Sequence, residues 1–489
     1  MERPGGVGGE TASGLDLGSG ELRKLGAEFL ELALDILEDE RCDPILPAIS
    51  GTDLEQLLSE PVPELPAQPG QVLDQFRNSI LAYRRRNGHP GFWAYVCSSA
   101  DPIGVLADLL ASSMNQIVTS WRSAPTATAV EKQVIAWLDE MVGFQGAGQG
   151  LLLSGGSAAN TEGVICAIEN GLRKHQLDTG QRTRLTAYAS REIHVSIRKA
   201  IRLLGIPVPN LRLLGIDEKR RLRCQELEEA VIRDREQGRI PFLVCSSAGT
   251  ANSGAIDPLN SIADLCQRFD IWHHVDGSYG ALAALTPEFG EMRAVLCRAD
   301  SLSMDPHKWL FTPLDCGCLL LRNPVASGLA FSEHSEYTEV SQKAPLESFA
   351  FFDHSLEMSR RFRALKLWFQ LKIRGVNAYR QAIRKNIALR RLLDDRVKRE
   401  PNLEWLASDL SISCFRYRAA TSQEGEERTN LVNRSILSEL TRRGNYLISP
   451  TTLDGRFCLR VCIVNFRTTE REIEGFLTQV LELGGSLGG

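Results

Sequence analysis

From Gly150 onward, short apolar runs alternate with longer amphipathic stretches, and this alternation is the strongest constraint on the fold. The runs are residues 151–153, 186–189, 242–245, 271–275, 301–304 and 317–321. Each has the length of a strand, and the segments between them carry helical spacing. A strand covered by helices on both faces reads as a continuous apolar run. The pattern therefore predicts an α/β fold with a mostly parallel central sheet covered by helices. In open sheets of this kind, ligands sit beyond the carboxyl ends of the strands. Chemistry is sought in the residues that follow each run.

The flanks differ. Residues 1–20 are Gly-rich and polar, a composition that predicts disorder. Leu22, Leu25, Phe29, Leu32 and Ile36 fall at helical spacing over residues 21–37, and residues 71–86, 102–116 and 124–142 also read as helices. A proline-rich connection spans 61–69. Residues 357–399 read as a long Arg-rich helix. Short strands follow at 403–407, 411–417, 447–449 and 457–465, with a helix among them and a closing helix at 470–483. A chain of 489 residues exceeds one ordinary core. The expected division is a helical N-terminal segment at 21–101, a large α/β domain at 102–376 and a small α+β domain at 377–489.

With 56 basic and 61 acidic residues, the net charge of −5 gives no electrostatic reason to expect nucleic acid or an anionic membrane as partner. No apolar run approaches the ~20 residues of a membrane helix, and the start has no signal-peptide core. The expected location is cytoplasmic. The twelve cysteines are scattered, with Cys166, Cys245 and Cys462 in apolar runs, and read as reduced core thiols. Cys316 and Cys318 flank a single glycine, which is not zinc-ligand spacing, and His273-His274 is too isolated to be a ligand set; no metal is expected.

Unusual residues cluster after the runs. Ser154-Gly155-Gly156-Ser157 forms a glycine-rich turn into a helix, which exposes backbone N–H groups to a phosphate, although it is also ordinary turn chemistry. His194 offers a flat ring that could stack on a planar ligand, and Thr250 follows another run. Asp276, in His274–Gly280 (HVDGSYG), can meet a buried cation or cap a helix. Asp305-Pro306-His307-Lys308-Trp309 lies between the last two runs and predicts strand, loop, strand, with Lys308 at the loop mouth. Trp309, Leu310 and Phe311 can bury the lysine stem. Desolvation would then strip its proton and leave a nucleophilic amine. Phosphate cradle, flat ring, buried carboxylate and nucleophilic lysine together match the needs of pyridoxal 5′-phosphate. The lysine forms a Schiff base, the carboxylate keeps the pyridine nitrogen protonated, and backbone amides hold the phosphate.

The motifs DPHKW (305–309), HVDGSYG (274–280), SGGSAAN (154–160) and RRFRALKLWF (360–369) closely resemble those of the group II pyridoxal-phosphate-dependent amino-acid decarboxylases, which include aromatic-L-amino-acid, histidine and glutamate decarboxylases. The resemblance runs from about Leu22 to the C-terminus. It implies the aspartate-aminotransferase-like fold type I and conversion of a small-molecule L-amino acid to its amine and carbon dioxide. It makes Lys308 the Schiff-base lysine, Asp276 the pyridinium partner and His194 the stacking ring. Gly156, Ser157, Thr250, Asp305 and His307 fall at cofactor positions. Tyr337 matches the mobile-loop tyrosine that protonates the substrate carbon. Residues 89–99 and 117–121, with Tyr95, Val96 and Thr119, match segments that build the substrate pocket, partly from a neighbouring subunit. The resemblance thus implies a homodimer with an exchanged N-terminal segment. Two departures stand out. Ala251 replaces the second of two threonines, and Val96 and Thr119 stand where the aromatic-amino-acid enzymes carry bulky rings. The second departure implies a wider or more polar pocket. Other readings on this fold are an aldehyde-forming enzyme, which tyrosine rather than phenylalanine at 337 disfavours, and a carbon–carbon lyase of the usually membrane-anchored kind. A non-catalytic scaffold is disfavoured by intact Lys308, Asp276, His194 and Tyr337.

Overall fold

The computed structural model describes residues 15–323, 325–333, 347–419 and 425–488. They form two compact units, one ending at Arg86 and the other beginning at Asn87. The first unit contains the helices Ser19–Asp39, Gly51–Leu58 and Pro69–Gln75. The uniform helix expected at 71–86 instead passes into a wide turn, Phe76–Ile80, and a tight one, Leu81–Tyr83. Beyond it, Arg84 and Arg86 both reach Asp39 at 3.0 Å.

The second unit contains a seven-stranded sheet. Its strands are β1 (Gly150–Leu153), β2 (Leu185–Ser190), β3 (Leu211–Leu214), β4 (Ile240–Ser247), β5 (Trp272–Asp276), β6 (Ser301–Met304) and β7 (Gly317–Leu321). They lie in the order β1-β7-β6-β5-β4-β2-β3, and β7 alone runs against its neighbours. The mostly parallel sheet matches the apolar runs. β3 escaped the sequence reading because it is a partly exposed edge strand whose run is broken by Arg212. The strand–loop–strand expected around Lys308 is also corrected: Pro306–Trp309 is a helical turn. Proline is favoured at the first helical position, and Lys308 N–H closes the turn on the Asp305 carbonyl at 2.9 Å.

A second, four-stranded antiparallel sheet follows: β8 (Leu403–Asp409), β9 (Ile412–Tyr417), β10 (Ser449–Leu453) and β11 (Arg456–Cys462). β10 lies later than the 447–449 expected, because Leu447 instead bridges to Phe92. Trp93 sits fully buried in the core of this sheet with Phe415, Leu459 and Phe476. Its indole N–H donates to Thr468 Oγ1 at 3.0 Å.

The long helix begins at Ala364, not 357, runs to Arg399 and breaks at Gly375, where φ is 68°. The residues before it are drawn inward. Arg360 is fully buried, donates to the Val118 and Leu152 carbonyls at 2.9 and 2.8 Å, and pairs with buried Glu131. Glu131 also accepts from Leu152 N–H at 3.2 Å, so the pair ties the helix Pro125–Val142 to β1. Removing one member of a buried pair strands the other charge. Arg360→Met should therefore destabilise the protein by about 3–5 kcal/mol in urea unfolding. Arg360→Met with Glu131→Leu should lose less than the single substitution; a larger loss would show that the pair contributes through something other than charge compensation.

Candidate active site

The carboxyl ends of β1, β2, β4, β5 and β6 open onto a cavity of about 820 Å³. Lys308, Asp305, His307, Asp276, His194, Gly156, Ser157, Tyr95 and Val96 all line it. The sequence reading thus placed nine residues that fall on one surface.

Asp276 ends β5 and is buried. Its Oδ1 accepts from Ser278 N–H at 3.1 Å and Ser303 Oγ at 3.3 Å, and its Oδ2 accepts from Asn160 Nδ2 at 2.9 Å. Burial opposes ionisation, but the Ser278 hydrogen bond and, next, the Lys308 charge hold the carboxyl below its ordinary range. Asn160 is the residue that the sequence reading left unassigned. Its second Nδ2 bond goes to Ser196 Oγ at 2.9 Å, and its Oδ1 meets His274 Nε2 at 3.0 Å. The only signal for it was its place in the SGGSAAN motif, four residues beyond Gly156 on the same helix.

His194 caps the helix Val195–Leu203. Its Nδ1 meets Ser196 Oγ at 2.8 Å and accepts from Ser196 N–H at 3.3 Å. With backbone and hydroxyl donors at Nδ1, the proton belongs on Nε2. Burial lowers the His194 pKa against the opposing pull of the Asp276 charge, which favours the neutral ring.

Lys308 Nζ lies 2.9 Å from Asp305 Oδ2, and His307 Nε2 lies 3.6 Å from the same oxygen. This corrects the expectation that burial strips the lysine of its proton. Burial does lower its pKa, but the Asp305 charge and hydrogen bond, with Asp276 behind them, raise it further, so the net direction is upward. The helical turn is the cause, since it sets residues 305 and 308 on one face.

Around this pair the backbone is tight. A Cβ at Gly156 would stand 2.3 Å from Ser278 Oγ and 2.8 Å from Asp305 Oδ2, and one at Gly317 would stand 2.5 Å from Gly155. The helix Gly156–Lys174 begins here and presents its first N–H groups to the cavity wall. Asp305 Oδ1 is buried without a hydrogen-bond partner among the described residues. A glycine cradle at a helix start, an orphaned carboxylate oxygen, a lysine amine and a buried ionised carboxylate fit a pyridine ring bearing a phosphate and an aldehyde.

Tyr95 adopts φ 58°, a left-handed conformation that costs energy for a non-glycine residue. Its N–H donates to Ser449 Oγ at 2.7 Å and its carbonyl accepts from Arg460 Nη1 at 2.9 Å, so the small sheet fastens it. It lines the cavity of its own chain. Cys97, in the pocket segment 89–99, also lines the wall, and Arg460, Ser449, Asn252 and Tyr279 join it without having been assigned a role. Two residues are placed elsewhere. Thr250 is buried, and its hydroxyl meets Ser253 Oγ at 3.1 Å. Thr119 donates to the Met358 carbonyl and is absent from the cavity lining. Tyr337 lies outside the described residues.

The conserved domain of pyridoxal-dependent decarboxylases matches residues 52–418. An aromatic-L-amino-acid decarboxylase of Bacillus atrophaeus is 34% identical over 470 residues, covering 96% of each chain. A phenylacetaldehyde synthase of Arabidopsis thaliana is 30% identical, covering 93% of this chain and 94% of its own. The crystal structure of Oryza sativa TDC with PLP and tryptamine superposes with a TM-score of 0.91 at 28% identity, covering 98% of this chain and 100% of that one.

If Asp305 keeps Lys308 protonated, Asp305→Asn should leave burial to dominate and lower the lysine pKa. Acylation of Lys308 in cofactor-free protein, followed by mass spectrometry across pH, should then reach half its maximal rate at lower pH than in the wild type. An unchanged midpoint would assign control of the amine to burial alone.

Proposed function

Because the chain belongs to the pyridoxal-dependent decarboxylase family, we propose that it removes the α-carboxylate of an L-amino acid as carbon dioxide and releases the amine, using Lys308 and Tyr337. The fold is fold type I, the cofactor is pyridoxal 5′-phosphate, and the enzyme is a carboxy-lyase. The observation that carries the specific reading is the convergence of Lys308, Asp276, His194 and the Gly156 cradle on one cavity.

When bound, the cofactor supplies an aldehyde that condenses with amines and a ring that takes up the electron pair left by the departing carboxylate. Lys308 offers the amine that holds the aldehyde, and Asp305 is positioned to take or return its proton. Asp276, ionised and fixed by its donors, keeps a proton on the ring nitrogen. Neutral His194 would lie against the ring of the bound cofactor, and Gly156, Ser157 and His307 would hold its phosphate end. Arg460 commits Nε and Nη1 to the carbonyls of Asn252 and Tyr95. Its guanidinium lines the cavity and is the cation available there to meet a substrate carboxylate. Tyr337 would deliver a proton to the α-carbon once carbon dioxide has gone.

Thr119 lies in a segment with exposed Ile117 and does not line its own cavity, which supports a homodimer in which this segment serves the partner's pocket. Aromatic L-amino acids are the first substrate class to test, because the relatives are named for them. Val96, smaller than a ring, leaves room for other side chains.

The test is a panel of aromatic and acidic L-amino acids with carbon dioxide, amine, aldehyde and peroxide measured together. Wild type should yield amine and carbon dioxide in equal amounts. Lys308→Ala should abolish turnover, and borohydride should trap the cofactor on the Lys308 peptide of the wild type. Tyr337→Phe, which removes only the phenolic hydroxyl, should in air-saturated buffer release carbon dioxide with less amine and more aldehyde, ammonia and peroxide, dioxygen taking up the electron pair. Aldehyde as the main wild-type product would instead favour the aldehyde-forming reading suggested by the phenylacetaldehyde synthases.

A further inference from the structure

Ala251, which lacks the hydroxyl of the expected threonine, is followed by a residue with several partners. Asn252 Nδ2 donates to Glu192 Oε2 at 2.7 Å, and its Oδ1 accepts from Thr451 Oγ1 at 3.3 Å. Its backbone carbonyl accepts from Arg460 Nε at 3.1 Å. The other Glu192 oxygen, Oε1, pairs with Arg220 Nη2 at 2.9 Å, and Arg220 Nη1 pairs with Asp454 Oδ2 at 2.9 Å. The Glu192 and Arg220 side chains are only 8% and 10% exposed. A buried ion pair of this kind gains little net stability, because desolvation offsets most of the attraction. Neither residue lines the cavity, whereas Asn252, Arg460 and Tyr95 do.

The pair lies at a junction. Glu192 follows β2 and Asn252 follows β4, both at the catalytic end of the large sheet, while Asp454 lies in the turn between β10 and β11. Arg460, on β11, reaches back to the Asn252 and Tyr95 carbonyls. A guanidinium is rigid and planar, so fixing Nε and Nη1 also fixes the direction of Nη2. The Asn252 carbonyl can fix Nε only if its own peptide is held; Cys414 Sγ donates to the same carbonyl at 3.4 Å, and of the two side-chain bonds the one to Glu192 is the shorter and is to a charged partner. Arg220 holds Glu192 in turn.

We propose that the Arg220–Glu192 ion pair is a positioning device that, acting through Asn252, aims the Arg460 guanidinium at the substrate carboxylate. The inference rests on the reading of Arg460 given above. The test uses the holoenzyme as wild type, Glu192→Ala, Glu192→Gln, Asn252→Ala, Arg460→Gln and the Glu192→Ala/Arg460→Gln double variant. It measures kcat and KM with the best amino acid of the product panel. It also measures the dissociation constant of the α-methyl analogue of that amino acid from the visible absorbance of the cofactor. Glu192→Ala, Asn252→Ala and Arg460→Gln should each raise KM and the dissociation constant about tenfold, the effect of losing one charge-assisted hydrogen bond. The kcat of Glu192→Ala, which lies outside the cavity lining, should stay within about twofold, and the cofactor absorbance of all three should be retained. Glu192→Gln keeps an acceptor for Asn252 and should recover part of the loss. The double variant should be no worse than Arg460→Gln, because the two substitutions remove one interaction. A raised KM in Arg460→Gln with wild-type values in Glu192→Ala and Asn252→Ala would overturn the positioning role and leave the Arg460 reading intact. Additive losses in the double variant would also overturn it, since they would mean that Glu192 acts elsewhere. Wild-type values in Arg460→Gln would overturn the Arg460 reading itself and the proposal with it.

Discussion

The site depends on the level at which the parallel strands end. Ala189 lies beside Cys245, Ser247 beside Asp276, and Asp276 beside Ser303. β2, β4, β5 and β6 therefore finish within a residue or two of one another. β1 is antiparallel to β7, which is antiparallel to β6, so the glycine turn after β1 opens at the same edge. A one-residue slip of β5 or β6 would turn Asp276 or Ser303 to the opposite face of the sheet. The short spacings at Gly156 and Gly317 leave no slack for such a slip.

On this edge, burial acts differently on each ionisable group, according to its partners. Asp276 stays ionised because three donors surround it, whereas His194 is kept neutral by burial, with Ser196 setting its tautomer. His274 loses basicity to about 4 under burial, consistent with its role as a neutral link between Asn160 and Ser301. Lys308 keeps its charge because a carboxylate stands three residues before it on a helical turn. In a low-dielectric wall each of these hydrogen bonds counts for more than it would in water, and an unpaired group would cost correspondingly more. Asp305 Oδ1 is such an unpaired group among the described residues, on a side chain that lines the cavity.

The opposite wall comes from distant sequence. Trp93 anchors the segment carrying Tyr95 in the core of the small sheet, stacking edge-on with Phe476 at 5.3 Å. β10 and β11 supply Ser449 and Arg460, which hold Tyr95 in its left-handed conformation. The aromatic-rich stretch at 89–99 thus combines both readings that it allows: Phe92 and Trp93 are core, and Tyr95 is cavity wall.

The sequence alone determined the sheet, because strands covered on both faces must be apolar throughout, and it located the glycine turn, His194, Asp276 and Lys308, because each directly follows such a strand. It missed β3, whose edge position allows Arg212 to interrupt the run. It also misread the turn at Pro306, since a four-residue helical turn carries no periodicity to detect. Only the tertiary structure decided the charge of Lys308, because burial and the Asp305 counterion act in opposite directions and their balance depends on a 2.9 Å distance. Only the tertiary structure brought in Asn160, Asn252, Arg220 and Arg460. Polar residues at single positions have no pattern of their own, and their partners lie as many as 365 residues away along the chain. Hydrophobic burial follows periodicity that can be read along a chain, whereas a buried polar contact requires a particular partner that only the folded backbone supplies.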